Sequence, residues 1–211
     1  MNSRIEKFTF TGLTLILFPA VWLSGCARIQ KSVKEEQHRQ QALLRNNCQG
    51  QLSQLSLALM QYRADHDDRF PVVASAGQAY GWADALKPYG ASPQLFQCPT
   101  EPTPFSADPA SAGYTDYWFN SNLSGVREKA VSRPVATILF GEGGTNDVTN
   151  ARYAKSSLPK VWITDAGSPA KRHLGGSVYA YADGHTASSK PESLLTKAYG
   201  DGKQVSKFGI K

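Results

Sequence analysis

The chain has 211 residues, 41% hydrophobic and 19% charged, which suits one globular domain with a core of its own plus appendages. Its formal charge of +6 comes from scattered Lys and Arg, with no run of five and no basic stripe interleaved with aromatics. That pattern reads as a solvated surface and argues against a nucleic-acid partner.

At the N-terminus, Arg4 and Lys7 precede the uncharged run FTFTGLTLILFPAVWLSGCA at 8–27, the layout of a targeting segment. Its end, Leu23-Ser24-Gly25-Cys26, resembles the lipobox of bacterial lipoproteins, which implies cleavage before Cys26 and lipidation of its thiol. Gly12-Leu13-Thr14-Leu15-Ile16-Leu17 is similar to the type IV prepilin signature, with Leu17 where that signature carries glutamate. Pro19 interrupts the run, whereas a simple span requires about 20 uninterrupted apolar residues. A lipid anchor at Cys26, a prepilin-like leader and an uncut membrane helix stay open; each puts the remaining chain outside the cytoplasm.

Residues 28–63 hold no proline and one glycine, and are rich in Gln, Leu, Lys and Arg, so a helix is expected. Leu44, Cys48, Leu52, Leu55, Leu59 and Tyr62 recur at gaps of three and four, which gives the second half a single apolar stripe. The first half lacks a stripe and reads as a solvated stalk. Asp65, His66, Asp67 and Asp68 lack the loop and distal glutamate of a calcium site, so they read as a solvated helix exit before Phe70-Pro71.

Trp82, Leu86 and Tyr89 fit a short helix, and 95–112 is a proline-rich loop. Residues 114–119 and 136–140 are predicted strands, 145–170 mainly loop, and 192–199 a helical turn or two. In KRHLGGSVYAYADGHTASS, at 171–189, Val178, Ala180 and Ala182 alternate with Tyr179 and Tyr181, which predicts a strand. Asp183-Gly184 then makes a two-residue turn, with Ala182 facing His185 and the chain returning antiparallel. An extended run of about 3.3 Å per residue puts His173 about 30 Å from Asp183, unless Gly175-Gly176 folds back sharply. A metal site from His173, Asp183 and His185 is therefore not expected, and His173 is read as structural. Nothing alternates βαβ; the predicted class is α+β, a long N-terminal helix packed on a small antiparallel sheet with long loops. The segments are 1–25 (signal or membrane), 26–41 (helical stalk), 42–190 (domain) and 191–211 (C-terminal tail).

Several of these residues together resemble the bacterial H-x9-DG prepilin-associated proteins, which are similar to the major pseudopilins of type II secretion. His173, nine intervening residues and Asp183-Gly184 match the naming motif, flanked by Arg172 and His185. Cys48 with the Leu-rich run to Tyr62, Phe70-Pro71, Trp82 to Tyr89 and Leu95-Phe96-Gln97-Cys98-Pro99 follow in order. The likeness covers about residues 42–190 and departs at Leu17 and at Gly141-Glu142, where an aspartate is expected. It implies a pilin-like fold, a cell-envelope setting, and pseudopilins or other secretion components as partners. In an oxidising extracytoplasmic setting, with Cys26 consumed by lipid, Cys48 and Cys98 are expected to form a disulfide.

Enzyme signatures are absent: GEGGT at 141–145 lacks the lysine of a phosphate-binding loop, and there is no Gly-x-Ser-x-Gly, Cys-x-x-Cys or His-x-x-x-His. Glu142 and Asp183 are the remaining candidates for paired carboxylates, and a deep pocket with a raised carboxyl pKa would mark them as such. No catalytic residue, cofactor or metal is therefore expected. The function predicted is a structural or assembly role in the envelope. The alternative is an anchored module that binds polysaccharide or peptide through Trp82, Trp118, Phe119 and Trp162.

Overall fold

A computed structural model of the chain describes residues 17–74, 80–101, 104–144, 147–194, 197–198, 204–205 and 207–210, with backbone alone for 17–26, 197–198 and 204–205. The targeting residues up to Ile16 lie outside the described residues, and of Cys26 only the helical backbone is described. Among the described residues no helix is long and apolar enough to cross a membrane. The chain divides into two units, 1–40 and 41–211.

Helix α1 runs Leu17–Asp65. In the first unit, residues 27–40 are exposed along their whole length, with surface pairs Lys31–Glu35 and Arg39–Glu36. In the second unit the predicted stripe is the buried face: Cys48, Leu52, Leu55 and Leu59 are sealed, and Leu44 and Tyr62 are half-buried at its ends. The helix stops at the acidic exit, where Asp67 and Asp68 take positive φ (53° and 57°) and the Asp68 amide reaches back to the Arg63 carbonyl at 3.0 Å.

Lys197–Ala198 and Gln204–Val205 pair as a separate small ladder, and five strands form the main sheet: β1 Tyr117–Asn120, β2 Ile138–Glu142, β3 Ala154–Lys155, β4 Ser177–Tyr181 and β5 Thr186–Ser189. Their order is β3-β1-β2-β4-β5. The class is α+β as expected, but the sheet is mixed rather than antiparallel, because β3 pairs parallel to β1. After β2 the chain makes a long excursion before it returns beside β1, so a tight reversal cannot set the direction of that pair. Short helices α2 (Trp82–Ala85) and α3 (Val161–Thr164) pack outside the sheet.

Both faces of the sheet are covered. Tyr117, Phe119, Phe140, Val178, Ala180 and Ala182 face a core shared with α1 and Trp82, while Trp118, Tyr179 and Tyr181 belong to a second core with Trp162 and Phe208. Phe208 stacks on Trp118 at 5.4 Å, and the Ile138 amide donates to the Lys207 carbonyl at 2.7 Å. The described part of 191–211 therefore packs on the domain.

The hairpin differs from its predicted register by one residue. Ala180 faces Thr186, and the Tyr181 amide donates to the His185 carbonyl at 2.9 Å, which leaves Ala182-Asp183-Gly184 as a three-residue loop. Gly184 takes φ 93°. This is a turn followed by a left-handed glycine, a common three-residue solution, and sequence alone does not separate it from the two-residue one. At the other end of β4 the chain does fold back sharply: Leu174 and Gly175 both have positive φ (54° and 80°), and His173 and Gly176 exchange backbone hydrogen bonds of 2.8 and 3.0 Å.

Candidate functional site

That reversal decides where His173 goes. It turns out of the line of β4 and lies against the end of β2, where its Nε2 sits 2.8 Å from Glu142 Oε1. Phe140 and Glu142 share the helix-facing side of β2 by the two-residue period, and Gly141 between them points the other way. Gly141 has no room for a side chain: a Cβ there would lie 2.3 Å from the Trp118 ring. The strand is thus pressed against Trp118 on one side while it aims Glu142 inward on the other.

Two sulphurs complete the cluster. Cys48 comes from the buried stripe of α1, and Cys98 follows a single helical turn at Pro93–Phe96. Their Sγ atoms are 2.7 Å apart, and both are free thiols in this structure, not the expected disulfide. Cys98 Sγ lies 3.5 Å from Glu142 Oε1 and 3.9 Å from His173 Nε2. One ligand atom from each of the four residues falls within 4.8 Å of the others, and none of the four residues is more than 3% exposed.

The surroundings hold each member in place. Glu142 Oε2 accepts from the Ser177 hydroxyl at 2.5 Å and from the Val178 amide at 2.9 Å, which leaves Oε1 for the cluster. The Cys98 amide donates to Asp116 Oδ2 at 2.8 Å. Arg172 pairs with the buried Glu101 carboxylate and donates to the Gly143 carbonyl at 2.6 Å.

The electrostatics follow from these contacts. The hydrogen bond with Cys48 pulls the Cys98 thiol below the usual thiol range, and the same bond with burial pushes Cys48 up. Burial works against the charged imidazole, but hydrogen bonds to Cys98 and Glu142 override it and raise His173 to about 9. For Glu142, burial works against the carboxylate, yet the His173 hydrogen bond and charge hold it below its ordinary value. Asp116 is the carboxyl that burial raises, to about 7, and it is sealed at 1% exposure.

Comparisons with family models, with curated proteins and with solved structures find no match for this chain. The assignment of chemistry therefore rests on the residues alone.

The other residues singled out in the sequence lie elsewhere. Asp183 and His185 stay in the exposed hairpin loop at the far end of β4, where His185 Nδ1 sits 2.6 Å from Asp183 Oδ1 and its ring stacks on Tyr181 at 4.4 Å. Glu142 and Asp183 are therefore not a carboxylate pair. Trp82, Trp118 and Phe119 are fully buried and Trp162 is 9% exposed, so these four form no binding shelf. The convergence of Cys48, Cys98, Glu142 and His173 was missed because they are far apart in sequence and show no ligand spacing. One local signal was present: Glu142 is the single charge in the apolar strand ILFGE.

Proposed function

We propose that this protein is a non-enzymatic, membrane-anchored component of the bacterial cell envelope, related to the pseudopilins of type II secretion, with a structural or assembly role. The observation that carries this reading is the division of labour along α1. From Cys48 onward one helix face is sealed into the domain, while residues 27–40 leave apolar Ile29 and Val33 exposed among charges at 65% and 49%. A helix that is polar nearly all round is not held by a core of its own, and it suits a stalk or an assembly surface. The second support is that Cys48, Cys98, Glu142 and His173 are each at most 3% exposed, which suits a structural cluster.

Photo-crosslinking residues placed at Ile29 and Val33 in the full chain, expressed in a bacterial host with a secretion system, test the assembly role. Discrete crosslinked species containing a second helical envelope subunit, or a second copy of this chain, are expected. Uncrosslinked monomer at both positions would contradict it.

A further inference from the structure

We propose that Cys48, Cys98, Glu142 and His173 form a closed site for one zinc-type divalent transition-metal ion, bound by two thiolates, an imidazole and a carboxylate. The donor set selects the ion. Calcium and magnesium take shells of oxygen atoms, whereas two thiolates with an imidazole favour borderline-soft ions with tetrahedral preference.

The geometry is close to what such an ion needs. Bonds of about 2.0–2.3 Å in a tetrahedron put ligand atoms about 3.3–3.8 Å apart. Cys98 already lies 3.5 Å from Glu142 and 3.9 Å from His173. To admit the ion the sulphur pair at 2.7 Å must open by about 1 Å and the imidazole–carboxylate pair at 2.8 Å by about 0.5 Å. The four ligands come from four separate segments, and no disulfide ties the two sulphurs against such an opening.

Binding exchanges protons for the metal. Whatever protons the sulphurs hold, and the one between His173 and Glu142, leave to solvent, and no electron moves. Two thiolates, one carboxylate and a divalent cation sum to a single negative charge, beside Arg172, which also pairs with Glu101. Orientation comes from outside the ligand set: Ser177 and Val178 fix the Glu142 carboxylate, and Asp116 fixes the backbone of Cys98. With four protein ligands and no open position, the site is structural: it ties α1 to β2 and to the loops before β1 and β4.

Cobalt(II) is the probe, because thiolate coordination gives it charge-transfer absorption and tetrahedral geometry gives it intense visible bands. The full chain, purified with reductant, stripped with a chelator and desalted, is titrated with cobalt(II). Uptake of one ion per chain with thiolate absorption is expected, displaced by zinc(II) and lost when the sulphurs are oxidised to a disulfide. Cys98→Ser should remove the charge-transfer band. Ser177→Ala, which leaves all four ligands in place, should weaken cobalt(II) binding by about 10–100-fold, with circular dichroism unchanged. Absence of thiolate absorption in the reduced protein, or uptake indifferent to Cys98→Ser and Ser177→Ala, would overturn the site.

Discussion

The single residue that carries the hairpin is Gly184, because its φ of 93° lies where a side chain is strained. A Cβ there would also approach Met60 Sδ at 3.3 Å, so the loop is held close against α1. Gly184→Val should lower stability by about 1–2 kcal/mol or more in urea denaturation, and Gly184→Asn by less, because asparagine tolerates the left-handed region. Equal losses for both would show that bulk against Met60, and not backbone strain, is what matters. Asp116 offers a pH test. Its folded-state pKa of about 7 lies above the unfolded value, so the folded chain holds a proton that the unfolded chain has lost. The effect on stability is therefore full below about pH 4, declines as pH rises through about 7, and costs on the order of a few kcal/mol beyond that. Asp116→Asn keeps an acceptor for the Cys98 amide without titrating. Melting curves from pH 5 to 8 should show the wild type losing ground to the variant as pH rises; parallel curves would mean that Asp116 does not hold its proton.

At the scale of elements, α1 shows how much a periodic pattern can and cannot tell. The stripe from Leu44 to Tyr62 was legible because burial of one helix face needs no knowledge of the partner. Leu55→Ala should cost about 2–5 kcal/mol, as expected for a large-to-small change in a packed core. Leu57→Ala, two residues on and 57% exposed, should stay within about 0.5 kcal/mol of wild type by the same assay. Similar costs at both positions would show that the helix face is wrongly assigned. The alternation Val178-Tyr179-Ala180-Tyr181-Ala182 was equally legible, down to which residues share a face. The hairpin register was not, since Asp-Gly serves both a two-residue and a three-residue loop and the choice changes every pairing by one. The parallel β3 was invisible for another reason: two residues are too few for a pattern, and the pairing is set by where a long loop returns.

For the whole molecule, the site depends on what no short window of sequence contains. His173 was expected about 30 Å from Asp183 along an extended strand unless Gly175-Gly176 folds back; Leu174 and Gly175 do reverse the chain and bring it to Glu142, 31 positions away. Cys48 and Cys98 were expected to form a disulfide, and that expectation, drawn from compartment and count, left out the carboxylate and imidazole that meet them. Folding of residues 41–211 brings together a sealed polar cluster and an aromatic core, and the role proposed for the chain is one of holding and positioning. The account stands on that role being carried out at a membrane, with the domain outside the cytoplasm. The most direct measurement is the intact mass and N-terminal sequence of the full chain extracted from the membrane fraction of its expression host. A mature chain that begins at Cys26 and carries the added mass of lipid on its thiol is the predicted result, while an unmodified chain recovered from the cytosolic fraction would contradict the account.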